Sequence, residues 1–181
     1  MTDTTIVAGN VQAPAVRSAF TWSTVIAGAL AAWAVAFIFI SLGGGIGLAI
    51  SSPYSSPSAT TMSIGGAIWL IFSETCAYAV GGYLAARLRI RDHIPGPETK
   101  FRDAAHGFMA WVIGVGILTA AVLFAAAFGP HTGTGGAAVV DTDAVRKAAS
   151  FVSFWSFMAL LFGAVAATLA GILGGDLRDE I

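Results

Sequence analysis

Four long apolar runs divide the chain, at about 22–50, 62–88, 104–128 and 145–173. Each is at least as long as the roughly 20 residues a helix needs to cross a bilayer core of about 30 Å. None shows the alternation of a half-buried strand. The polar stretches between them are short. Ser51 to Thr61 holds two prolines, many hydroxyls and no charge, which predicts a loop. Arg87 to Asp103 is dense in charge, and Pro95 and Pro97 predict a break there. Gly129 to Asp143 is rich in Gly and Thr, with Asp141 or Thr142 available as N-cap of the last helix. The pattern predicts an all-α membrane protein: a four-transmembrane-helix bundle over 20–175, a flexible tail at 1–19 and a charged tail at 176–181. The first run is too long for the apolar core of a signal peptide, so it is expected to remain as an anchor.

Composition sharpens the class. Hydrophobic residues make up 56% and charged residues 10%, against about 25% charged in soluble domains. The mean hydropathy is +0.80. The single cysteine, Cys76, rules out a disulfide within the chain. Seven of the nine Lys and Arg residues fall on the side of the two termini and the central loop, the other two at the start of the fourth run. The positive-inside rule then places both termini in the cytoplasm. Abundant Ala, Gly and Arg point to a bacterial inner membrane as the setting of this multi-pass protein.

Small residues recur at every fourth position. Gly28, Ala32 and Ala36 form one row; Ala77, Gly81 and Ala85 another; Ala159, Gly163, Ala167, Gly171 and Gly175 the longest. Such rows let helices approach closely, within one chain or between subunits. Gly43, Gly44, Gly45 and Gly47 weaken the end of the first helix, by about 1 kcal/mol each relative to Ala, and predict a kink, a close helix approach or an unwound end. Gly81-Gly82-Tyr83-Leu84-Ala85-Ala86 parallels Ala166-Ala167-Thr168-Leu169-Ala170-Gly171, as two duplicated helical hairpins would.

Glu74 is the one acid inside an apolar run, close to the middle of its helix. A carboxylate there costs a few kcal/mol, so it must be protonated, or face a partner, another subunit or water. Tyr78, one turn on, and Thr119, at similar depth on the third helix, are its candidate neighbours. Arg87, Arg89, Arg91, Lys100 and Arg102 form a basic cytoplasmic segment that sets orientation and attracts anionic headgroups. His93, His106 and His131 lack metal-ligand spacing. No nucleophile–base pair, phosphate loop or CxxC motif is present, so no enzyme activity, catalytic residue, metal, cofactor or nucleic-acid partner is expected.

Trp22-Ser23 with Val25-Ile26-Ala27-Gly28-Ala29, Ala67-Ile68-Trp69, Gly81-Gly82-Tyr83-Leu84-Ala85-Ala86-Arg87-Leu88 and His106-Gly107-Phe108 resemble a group of small bacterial inner-membrane proteins, some of them labelled PhnA-like. The resemblance covers three of the four helices and implies a fold but no activity. The expected function is that of a non-catalytic accessory or scaffold subunit in a homo-oligomer or larger membrane complex. The alternative is a small oligomeric channel or proton-coupled transporter with Glu74 as its intramembrane ionisable site.

Overall fold

A computed structural model describes residues 20–50, 59–90, 96–128 and 142–180. The expectations for the tail 1–19, for 51–58 of the loop at 51–61, for 129–141 of the loop at 129–143, and for Arg91, His93 and His131 lie outside the described residues, whereas 59–61 and 142–143, expected as loop, are helical. Four helices make up the fold: α1 (Trp22–Ile50), α2 (Ala59–Arg87), α3 (Pro97–Phe128) and α4 (Thr142–Asp179). All four are long and apolar enough to cross a membrane. A membrane offers the backbone no water, and a helix satisfies its own N–H and C=O groups.

The side chains are sorted as lipid demands. Large apolar residues lie outside: Phe37 is 72%, Phe128 75% and Leu48 78% exposed. The interior is built of small ones, with Ala29, Ala77, Ala85, Ala86 and Ala167 fully buried. Lipid tails are as apolar as leucine, so helix association here depends on close packing. Helix α2 touches each of the other three, and so does α3, whereas among the described residues α1 and α4 do not meet. The bundle therefore runs α1, α2, α4, α3 in cyclic order.

The rows of small residues make these contacts. Gly28 lies against Gly81 and Ala85, and a Cβ placed on Gly81 would come 2.8 Å from the Ala32 Cβ. Gly82 of α2 and Gly107 of α3 both rest on the Ala167 carbonyl of α4. Gly171 faces Gly107 and the Asp103 carbonyl, and Gly175 faces the Asp103 carboxylate. Tyr78 fills the gap left by Gly114 and Gly163. Small residues of α4 thus seat it between α2 and α3, and the interface they form lies within one chain.

Three local expectations are corrected. The glycines at 43–47 do not end α1, which continues to Ile50. An unwound turn in lipid would strand backbone groups, a larger penalty than the propensity cost of glycine. Gly43 accommodates the indole of Trp69, whose Nε1–H donates to the Phe39 carbonyl at 3.0 Å.

Pro97 begins a helix, where its missing N–H costs nothing. Gly96, at φ 104°, turns the chain into α3, and Thr99 N–H closes the first turn on the Gly96 carbonyl at 3.1 Å. The segment Glu98 to Asp103 is therefore helical.

Helix α4 runs on to Asp179, so residues 176–179 are its last turn and not a tail. At 38 residues it is about 57 Å long, and it outreaches the bilayer core.

A candidate cleft at mid-membrane and a buried charge clamp

Glu74 opens onto a cleft of about 200 Å³. Ala32, Trp33, Ala36, Phe37 and Ile40 of α1 form one wall, Glu74 and Tyr78 of α2 the floor, and Leu118 of α3 the far side. Ala32 and Ala36 make the space, because larger residues there would close it. Among the described residues, no cationic side chain lines the cleft. None of the salt bridges among the described residues involves Glu74. Tyr78 shares the cleft but is itself buried, at 4% exposure, with its ring against α3 and α4. Thr119 is not part of the site. It is exposed, and its hydroxyl donates to the Val115 carbonyl of its own helix at 2.9 Å. Depth along a helix does not set the direction in which a side chain points, and Leu118 takes the place expected for Thr119.

The second constellation lies at the end of the bundle where α2 and α4 stop and α3 begins. Asp103 is its centre. Arg89, just past α2, donates from Nε to Asp103 Oδ1 at 2.9 Å. Arg178, in the last turn of α4, donates from Nη1 to Oδ1 at 3.1 Å and from Nη2 to Oδ2 at 3.2 Å. The side chains of Asp103 and Arg89 are each 2% exposed, and that of Arg178 is 8% exposed. Arg178 also donates from Nε to Asp179 at 2.9 Å, which balances the second positive charge. Its Nη1 donates as well to the Ala86 carbonyl at 3.0 Å, in the last turn of α2, where carbonyls lack a helical partner. Gly175 makes the clamp possible, because any side chain there would land on the Asp103 carboxylate.

One turn along α3, His106 is fully buried. Its Nδ1 lies 2.7 Å from the Arg102 carbonyl, and Thr21 N–H donates to its Nε2 at 3.1 Å. A carbonyl only accepts and a backbone N–H only donates, so the ring is the neutral imidazole protonated at Nδ1. Phe20 stacks on it at a centroid distance of 4.4 Å. His106 thereby ties the start of α1 to α3. Changing His106 to Phe keeps the stack and removes the acceptor. We expect a loss of about 1–3 kcal/mol for the unpaired donor, read as faster amide exchange in the first turn of α1.

The basic segment is accordingly not a uniform solvated loop. Arg89 is buried in the clamp, Arg102 pairs with Glu98 at 2.7 Å and Lys100 with Asp176 at 3.4 Å. Arg87 closes α2. Arg89, Asp103, His106 and Arg178 were all missed as a group by local sequence reading. One signal pointed to them: the small-residue row of α4 continues to Gly175, which implies that the helix and its packing face continue as well. Among the described residues no three His, Cys, Asp or Glu side chains are grouped to hold a metal ion. Compared with family models, curated proteins and solved structures, the chain matches none of them.

Proposed function

We propose that this multi-pass membrane protein is a non-catalytic assembly subunit, set in a bacterial inner membrane with both termini cytoplasmic, that packs against further copies or other membrane subunits. The observation that carries this reading is how its glycines are divided. Gly28, Gly81, Gly82, Gly107, Gly171 and Gly175 are all in close contact with neighbouring helices, towards the charged end. Gly44 and Gly45 of α1, Gly65 and Gly66 of α2 and Gly116 of α3 have nothing within 4 Å of where a Cβ would stand. Glycine weakens a helix by about 1 kcal/mol relative to Ala and gives the chain nothing at these positions. Close approach of a helix from another subunit would repay it.

The test replaces the open glycines. Gly44→Leu and Gly66→Leu should leave the chain at least as stable as wild type, with up to about 1 kcal/mol of helix-propensity gain at each position, while dissolving its complexes in gently extracted membranes. Complexes that survive both changes would overturn the reading.

A second reading, a small channel or proton-coupled transporter, is favoured by the Glu74 cleft. It predicts flux through reconstituted protein that Glu74→Gln abolishes.

A further inference from the structure

We propose that the mid-membrane cleft is a binding site for a small hydrophobic monocation, an alkyl- or arylammonium, with Glu74 as counter-charge and Trp33 and Phe37 as its aromatic wall. Binding alone is inferred, so the site depends on neither the assembly reading nor a transport cycle.

The lining fixes the chemistry of the ligand. Among the described residues, Glu74 is the only acid lining the cleft, and no basic side chain accompanies it. An ionised carboxylate at this depth needs an opposite charge, water or a partner. A metal ion is a poor match. Hard cations take about six to eight oxygen ligands, whereas the lining side chains offer one carboxylate and one phenol. An organic cation needs far fewer, because its charge is spread and its shell is apolar. Aromatic rings attract such cations through their quadrupoles, and quaternary ammonium groups are recognised in this way. The remaining lining, Ala32, Ala36, Ile40 and Leu118, suits hydrocarbon.

Size and access narrow the ligand further. A volume of about 200 Å³ lies below the roughly 300–1,000 Å³ of drug-sized sites, so a single ring or a short chain fits. Trp33 and Phe37 are 39% and 72% exposed. The wall that carries them faces the region of lipid, and the ligand enters from the bilayer.

The test uses the full chain in lipid nanodiscs and radiolabelled benzyltrimethylammonium as probe. Neopentylbenzene, in which carbon replaces the quaternary nitrogen, is the neutral competitor. Wild type should bind one probe per chain saturably, and the neutral compound should not displace it. Glu74→Gln should abolish saturable binding, and Glu74→Asp should restore part of it. Phe37→Leu, at an exposed position where folding is not at stake, should weaken binding on the order of tenfold. No saturable binding to wild type, unchanged affinity in Glu74→Gln, or displacement by the neutral compound would each overturn the proposal.

Discussion

Replacing Asp103 by Ala should cost about 3–5 kcal/mol of stability, the largest loss expected from a single substitution in this chain. Two guanidinium groups, on Arg89 and Arg178, meet on this carboxylate, and none of the three side chains is more than 8% exposed. Asp179 can hold part of the charge of Arg178, whereas Arg89 loses its Asp103 contact outright. Removing one member of a buried ion cluster leaves the charge of the others desolvated and less compensated. Asp103→Asn retains the shape and loses the charge, so it should fall between Ala and wild type. Replacing Arg89, Asp103 and Arg178 together by Met, Leu and Met should cost less than Asp103→Ala alone, because no buried charge is left behind. Reversible unfolding in mixed micelles ranks the three variants. A triple variant less stable than Asp103→Ala would show that the clamp stabilises beyond mere charge compensation.

Replacing Gly171 by Leu is the second large effect. Even a Cβ at this position would come 2.7 Å from the Asp103 carbonyl oxygen and 3.2 Å from the Gly107 Cα. Both are backbone atoms and neither can rotate away, so α3 and α4 must separate. Overpacking costs about 1–3 kcal/mol where side chains can adjust, and the upper end or beyond applies here. Gly171→Ala isolates the effect. Its helix propensity gain of about 1 kcal/mol should be outweighed by the clash, while Gly44→Ala, at an open position, should keep that gain. Opposite signs in the same unfolding assay are the expected result. Equal signs would mean that the close contact at Gly171 is not made.

Much of the fold could be read from hydrophobic length. A run such as Trp22 to Ile50 admits one structure in lipid, a helix. Helix ends were harder, because a charge-dense stretch carrying prolines predicts a break, and a run of charges past the apolar span predicts a tail. Lys100, Arg102 and Asp103 looked like loop residues and are helical; Arg178 looked like tail and is buried. The clamp joins Asp103 to partners 14 and 75 residues away, a separation over which spacing carries no information. Glu74 stood out because an acid in an apolar run is costly, and Tyr78 followed from helical periodicity. Trp33 and Phe37 did not, since which face of α1 meets α2 is set by Gly28 and Ala32 across the interface.

The small-residue row of α4 shows the same limit. Its spacing marks a packing face, but the partner, whether α2 and α3 or another subunit, is a property of the whole bundle. With that row used within the chain, the proposed assembly rests on the open glycines towards the end opposite the charge clamp.

The most direct measurement is the native mass of the wild-type protein lifted from its own membrane into lipid nanodiscs at its natural abundance. The proposed function predicts a defined complex, a whole-number multiple of the 18.5 kDa chain or that chain with stoichiometric partners. A single chain of 18.5 kDa, with nothing else bound in fixed ratio, would contradict it.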